Sequence, residues 1–257
     1  MLILVSNDDG VHSPGLKSLV SQLSRLGKVY VAAPSGERSA AGHALTMRMP
    51  IIVQEIEMQG AFKAWSIDGT PADCVKLGLE VLLEGRNPDV VVSGINCGPN
   101  LGTDVLYSGT VSAAMEGIIE GIPAIAVSLA SLNRPDFSVA SEFATKLVTK
   151  LLQDDNAIGD KILLNVNVPG LPRDKIKGVR ITRLGERRYT NIFDRRVDPR
   201  GRTYFWMAGE LEENPEQQDE TYDTWAVKNG YISVTPMRLE FTAENMIELL
   251  KRWDLQP

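Results

Sequence analysis

Asp8 and Asp9 are adjacent carboxylates that follow the apolar run Leu2–Val5 and precede Gly10. Two such groups side by side repel each other unless a cation or a proton sits between them. Asp-Asp-Gly is also an ordinary turn and helix-entry sequence, so on spacing alone both readings stand. Two further loops offer oxygen. Ser39 closes Ser35-Gly-Glu-Arg-Ser39, and Asn96 follows Val90–Ser93 in Gly94-Ile-Asn96. Brought together, Asp8, Asp9, Ser39 and Asn96 make a set of hard oxygen donors, with no nearby His or Cys cluster. That chemistry suits Mg²⁺ or Mn²⁺ rather than Zn²⁺.

A second group follows a long Gly/Asn loop, Gly94-Ile-Asn-Cys-Gly-Pro-Asn-Leu-Gly102, and then Tyr107-Ser-Gly-Thr110 at the start of a helical pattern. Free amides at Ser108, Gly109 and Thr110, with two hydroxyls, offer a phosphate both donors and the positive end of a helix dipole. A Gly-rich connection can equally be a plain crossover loop. Asn7, Gly42 and His43 complete the candidate substrate contacts, Gly42 because it permits close backbone approach. His43 and His12 are the two imidazoles, both in polar loops, where a hydrogen-bonding role competes with proton donation or phosphate contact. Cys97 has no base partner visible in sequence and Cys74 falls within a helical pattern, so both read as structural. Neither GxxxxGK[ST] nor GxGxxG occurs, which removes the main support for a nucleoside triphosphatase or an ordinary dinucleotide site.

The elements that must position these groups alternate. Leu2–Val5, Val29–Ala33, Val90–Ser93, Ala124–Leu129 and Ile162–Val168 read as buried strands. Helical periods lie between them: from Ser13-Pro14-Gly15 to Gly27, Thr70–Leu83, about Thr110–Glu120, and Val139–Leu152. Strands alternating with helices predict an α/β fold with a parallel sheet covered on both faces. In such sheets ligands bind beyond the carboxyl ends of the strands, where the polar loops above fall. Met47–Ile67 reads as a hairpin around Gln59-Gly60 beside the main sheet. Asp198-Pro-Arg-Gly201 predicts a turn between Asn191–Val197 and Thr203–Trp206, a protruding hairpin. Thr242–Trp253 reads as an amphipathic final helix opened by a Thr-x-x-Asn cap.

Composition sets the outer bounds. At 257 residues, 43% hydrophobic and 23% charged, the chain can bury a core, and disorder or a fibrous repeat is excluded. The expected organisation is one domain over 1–257, with a core of about 1–170 and an oligomerising extension over about 171–257. The net charge of −6 argues against general phosphate neutralisation on nucleic acid. The N-terminus turns polar after Val5, with no leader of signal-peptide length, and no apolar run approaches a membrane span. With only two cysteines, the expected home is reducing and cytoplasmic, away from membranes. Residues 173–202 hold eleven Lys/Arg against four Asp/Glu, whereas 210–223 holds seven Asp/Glu and no base. These blocks are either solvated faces or pair within or between subunits.

Five blocks in order carry a resemblance: Ser6-Asn-Asp-Asp-Gly10, Ala33-Pro-Ser-Gly-Glu-Arg-Ser-Ala-Ala-Gly42, Asp68-Gly-Thr-Pro-Ala-Asp73, Ser93-Gly-Ile-Asn-Cys-Gly-Pro-Asn100 and Tyr107-Ser-Gly-Thr-Val-Ser-Ala-Ala114, with Gly230-Tyr-Ile-Ser-Val-Thr-Pro236 near the end. Together they resemble the SurE family of stationary-phase survival phosphatases and nucleotidases. The resemblance implies a Rossmann-like, doubly wound, mostly parallel sheet with an extended C-terminal hairpin and a swapped tail helix. It also implies one divalent metal per subunit, Mg²⁺ or Mn²⁺, on the residues matching Asp8, Asp9, Ser39 and Asn96. The implied reaction is hydrolysis of nucleoside 5′- and 3′-monophosphates, with some action on short polyphosphate, by a homodimer or homotetramer. Asp8 and Asp9 are then the catalytic carboxylates, whether water or a carboxylate attacks phosphorus. A noncatalytic nucleotide sensor could use the same loops, and composition does not separate the two.

Overall fold

The computed structural model describes residues 1–132, 136–153, 162–212, 219–253 and 255. The chain runs β1 (Leu2–Ser6), α1 (Pro14–Leu23), β2 (Lys28–Pro34), β3 (Val53–Ile56), β4 (Lys63–Ile67), α2 (Pro71–Leu77), β5 (Val90–Cys97), α3 (Gly109–Ile119), β6 (Ala124–Ala130), α4 (Ser138–Gln153) and β7 (Leu163–Pro169). It continues through β8 (Val179–Ile181), β9 (Arg188–Thr190), β10 (Phe193–Val197), β11 (Thr203–Met207), β12 (Glu210–Glu212), α5 (Asp223–Lys228), β13 (Ile232–Met237) and α6 (Glu244–Leu250). Nine strands form one sheet in the order β3-β4-β2-β1-β5-β6-β7-β13-β8. The run from β4 to β7 is parallel throughout, while β3 on β4 and β13 on β7 are antiparallel.

The strand interiors are apolar at consecutive positions because helices cover both faces. Ile3 and Val5 join Leu16, Leu19, Val20 and Leu23 of α1 and Ala144 and Val148 of α4 on one side. Leu4, between them in β1, faces Cys74 and Val75 of α2 and Val111, Ala114 and Ile118 of α3 on the other. This is the period-2 alternation of a doubly covered sheet. From β1 the chain winds outward to β2, then crosses to β5 on the opposite side and winds onward to β6 and β7. The switch point therefore lies between β1, which leads into Asp8–Asp9, and β5, which carries Asn96 as its last residue but one.

The α/β class and the five expected core strands are present, as is the hairpin formed by β3 and β4. Several details differ from expectation, among them β5, which runs on from Ser93 to Cys97 so that Asn96 lies in the strand rather than in a loop after it. The helix expected over Thr70–Leu83 stops being α-helical at Leu77 and continues as a π-helical turn over Gly78–Leu82. The final helix is shorter than Thr242–Trp253, and no side chain caps its start, so the expected Thr-x-x-Asn cap is not made. It buries no residue, which leaves propensity alone to hold its ends. Finally, part of the C-terminal third returns to the main sheet: β13 inserts between β7 and β8, although no strand was assigned there from periodicity.

The hairpin β10–β11 forms with the expected turn, Asp198 N–H donating to Arg202 O at 2.9 Å. Basic residues around it pair mostly with close neighbours, as in Arg196–Asp194 and Arg202–Asp198, while Arg180 reaches Glu220 of the acidic block at 3.2 Å. Residues 213–218 of that block lie outside the described residues. Among the described residues no helix is long and apolar enough to cross a membrane.

Candidate active site

The site is assembled where β1, β2 and β5 end. Asn7 is fully buried, and its Nδ2 donates to Gly10 O at 3.0 Å and to Ser13 Oγ at 2.8 Å. Ser13 is the N-cap of α1, so the turn carrying Asp8 and Asp9 is tied to the start of that helix. Asp8 is 5% exposed, and the Thr110 hydroxyl donates to its Oδ1. Gly109 makes this approach possible: a Cβ there would lie 2.8 Å from Asp8 Cβ and 3.0 Å from Asp8 Oδ2. Asp9 Oδ2 accepts from the backbone N–H of Cys97 at 3.1 Å, which fastens the first loop to the end of β5 next to Asn96. Arg38 N–H donates to Asp8 O at 2.8 Å, which brings in the loop carrying Ser39.

Both carboxylates are held in a costly state. Burial pushes Asp8 above the usual carboxylate range, against hydrogen bonds from Thr110, and the charge of Glu37 adds to the rise. Burial also pushes Asp9 up to about 6, with Asp8 and Glu37 repelling it further. A bound cation relieves both effects. Asn96 Nδ2 donates to Gly98 O at 2.9 Å, and its Oδ1 makes no hydrogen bond with another described residue. Ser39 is exposed, with its hydroxyl 2.5 Å from Glu37 Oε1. Among the described residues no cluster of three or more His, Cys, Asp or Glu is placed to hold a metal. An oxygen set of two desolvated carboxylates, a hydroxyl and an amide carbonyl fits a hard divalent cation better than zinc.

The α3 N-terminus sits beside this cluster. Ser108 is its N-cap, and its Oγ accepts from Val111 N–H at 3.1 Å. Of the two hydroxyls offered to a phosphate from sequence, that of Thr110 is committed to Asp8, whereas Ser108 keeps its hydroxyl proton to donate. The Gly42 loop folds over the same helix: Gly42 N–H donates to Tyr107 O at 3.0 Å. His43 Nε2 lies 2.7 Å from Oε1 of Glu116, a carboxylate 3% exposed within α3. His12 is exposed. Cys74 is buried and Cys97 half-buried, and both are free thiols raised chiefly by burial.

These ties make the chain comparable to known proteins over the site as well as the sheet. The family model for "Survival protein SurE" matches residues 3–191. The chain belongs to the SurE family. It is 54% identical over 253 residues to a protein named 5′-nucleotidase SurE from Pelotomaculum thermopropionicum, covering 98% of this chain and 95% of that one. It is 52% identical over 259 residues to one of the same name from Gloeobacter violaceus, covering 99% and 97%. The crystal structure of the SurE protein from Aquifex aeolicus superposes with a TM-score of 0.83 at 42% identity, over 98% of each chain.

Several residues escaped the sequence reading of this SurE-family site. Glu37 was passed over as part of a loop, although it is the third carboxylate acting on Asp8 and Asp9. Glu116 left a signal, a lone acid in the apolar turns of α3. Asn165 and Asn167, two apart in an apolar strand, also left one. They point to the same face and grip the Gly/Asn loop, both donating to Asn100 O at 2.9 Å, while Asn167 Oδ1 accepts from Asn100 N–H at 2.8 Å.

Proposed function

We propose that the protein is a metal-dependent phosphomonoesterase acting on nucleoside monophosphates. The observation that carries this reading is the placing of two adjacent, raised carboxylates beside a helix N-terminus, the buried Asp8 tied to the first turn of α3 through Thr110 and the half-buried Asp9 tied to the end of β5 through Cys97. An acidic cluster beside a helix N-terminus repels a phosphate unless a cation offsets it, so the two halves of the site make sense together only with a divalent ion present. The relatives' name, 5′-nucleotidase SurE, supports the choice of substrate.

Asp8, Asp9, Ser39 and Asn96 would hold one Mg²⁺ or Mn²⁺ per subunit. Such an ion supplies charge neutralisation at phosphate oxygens and acidifies water. Thr110 fixes the Asp8 rotamer by its hydroxyl. Asp9 is the better placed of the two carboxylates to orient the attacking water, because it is the less buried. The Ser108 hydroxyl and the Gly109 amide hold nonbridging oxygens as charge develops, and the Asn7 side chain keeps the β1 turn in shape. His43 and Gly42 close the rim from the loop above. Attack by water needs no phosphoenzyme. Hydrolysis of 3′-monophosphates and short polyphosphate belongs to the same proposal, as does a cytoplasmic location.

Steady release of phosphate from a nucleoside monophosphate at catalytic protein concentration, abolished by chelator and restored by Mn²⁺ or Mg²⁺, is the expected result. Stoichiometric binding without turnover would replace the enzyme by a nucleotide sensor. Assembly is proposed from the exposed apolar surface of the C-terminal elements, Trp206 at 59% and Trp253 at 57% exposed among them. Such a surface favours burial against a second subunit, by exchange of the tail, in a homodimer or homotetramer. Truncation before Thr242 is expected to give a smaller, less stable species by light scattering and thermal melting, and an unchanged mass defeats the exchange.

A further inference from the structure

The loop that ends in Ser108 is fastened from a direction the catalytic residues do not explain. Asp223, at the start of α5, is fully buried and accepts three backbone amides: Gly102 N–H on Oδ2, and Gly185 N–H and Thr224 N–H on Oδ1, each at 2.8 Å. It thus joins the Gly/Asn loop to the segment from which the hairpin arm leaves the body. The fit is close: Gly102 has φ +54, and a Cβ on it would lie 2.5 Å from Gly185 O. Around this carboxylate the same two segments are stitched again. Thr103 Oγ1 donates to Arg187 O at 2.9 Å and accepts from Arg187 N–H at 3.2 Å. Asp104 Oδ2 accepts from the Arg187 guanidinium and, at 2.7 Å, from Tyr189 Oη.

From Gly102 the chain runs as one 3-10 turn, Gly102–Leu106, and reaches the α3 cap two residues later. That turn is closed by Tyr107 N–H on Asp104 O at 3.0 Å, so Gly102 and the α3 cap are joined by one short hydrogen-bonded segment. Of the metal-ligand candidates, Asp8 is tied to the same helix start through Thr110, whereas Asp9 is held by Cys97 and the Ser39 loop by Arg38 on Asp8 O.

We propose that Asp223, which lies outside the stretch matched by the family model, is a positioning residue for the phosphate seat. It clamps the Gly102 turn to the base of the C-terminal arm and so sets where Ser108 and Gly109 meet the substrate. The inference rests on the phosphomonoesterase reading above. Its consequence is that the arm and the active site share one buried carboxylate, so displacement of the arm base is felt first at the phosphate and less at the metal.

The test compares the full-length wild type with Asp223→Asn and Asp104→Asn in Mn²⁺. Asparagine keeps the shape of Asp223 but turns an NH₂ toward amides that need an acceptor. A misplacement of about 1 Å costs on the order of a hundredfold in rate. For Asp223→Asn the expected loss in kcat/KM is about tenfold to a hundredfold, and inorganic phosphate, titrated calorimetrically, should bind about tenfold more weakly. Asp104→Asn should show the same pattern on a smaller scale, about threefold. Mn²⁺ affinity should fall by less than phosphate affinity in both, a split that a general loss of structure would not produce. Should Asp223→Asn fail to fold, Asp104→Asn decides alone. Unchanged kcat/KM and phosphate affinity in the folded variants overturn the clamp, as does a parallel loss of Mn²⁺ affinity. A wild type that releases no phosphate overturns the phosphomonoesterase reading itself, and the clamp with it.

Discussion

The loops at the ends of β1, β2 and β5 and the arm formed by β9–β12 hold their polar groups in opposite ways. In the first region the contacts that join the loops are long-range, beside local caps such as Asn7 on Ser13: Thr110 meets Asp8, Cys97 N–H meets Asp9, and Asn100 meets Asn165 and Asn167. In the second, ion pairs are local, such as Arg196–Asp194, and every residue of β10 and β11 is exposed. The first region is therefore defined within one subunit, by burial that makes each missing hydrogen bond costly. Among the described residues β10 and β11 show aromatic surface and bury no side chain, so a partner surface is what would cover them.

The sharpest way to break this contrast is through stability. Leu19→Ala empties a site between α1 and the sheet and is expected to cost about 2–5 kcal/mol in chemical denaturation at any protein concentration. The paired change Phe205→Ala with Trp206→Ala should alter only the concentration-dependent part of the melt. A concentration-independent loss of similar size in the arm variant would mean that the arm packs within its own subunit.

Next in size is the effect on turnover. Asp8→Asn and Asp9→Asn should each lower the rate by at least about a hundredfold while the protein stays folded, because each removes charge from the cation site. Either variant retaining near-wild-type rate at low metal concentration would show that the ligand set is wrong.

Smaller losses, about 1–2 kcal/mol in transition-state stabilisation, are expected for Ser108→Ala and Thr110→Val. They should differ in kind. Ser108→Ala should weaken phosphate, whereas Thr110→Val should weaken metal, since its hydroxyl is spent on Asp8. Identical metal affinity in both variants would erase that distinction.

The smallest effect is in pH dependence. Asp9 titrates near 6 in the folded metal-free protein, against about 4 in the unfolded chain, so between those values the folded state binds more protons. Stability without metal should then fall as pH rises through that window and level off above it. A divalent ion favours the ionised carboxylates, so the rise in Tm on adding Mn²⁺ should be larger at pH 7.5 than at pH 5. Equal shifts at both pH values would mean that these carboxylates are not the ligands.

How much of this was legible in sequence follows from how local each signal is. The helix entries at Ser13-Pro14 and Thr70-Pro71 were readable because a cap and its amide lie three residues apart, as in Thr70 and Asp73. The tail helix was overextended because amphipathic spacing promises a partner face, and within the described residues of one subunit none buries it. β13 escaped because its apolar residues follow the pattern of a short strand but its place, between β7 and β8, depends on chain that is distant in sequence.

The sequence by itself determined the alternation of strands and helices, the polar loops at the strand ends and the five ordered blocks of the SurE family, all of which rest on neighbours within a few residues. Tertiary structure decided the rest. It placed the Thr110 hydroxyl on Asp8 rather than toward a ligand, added Glu37 to the carboxylates, and carried Asp223 across 121 residues to Gly102. The physical reason is common to all three. A buried polar group must find a partner once water is removed, and which partner it meets is set by how sheet and helices bring separate stretches of chain together.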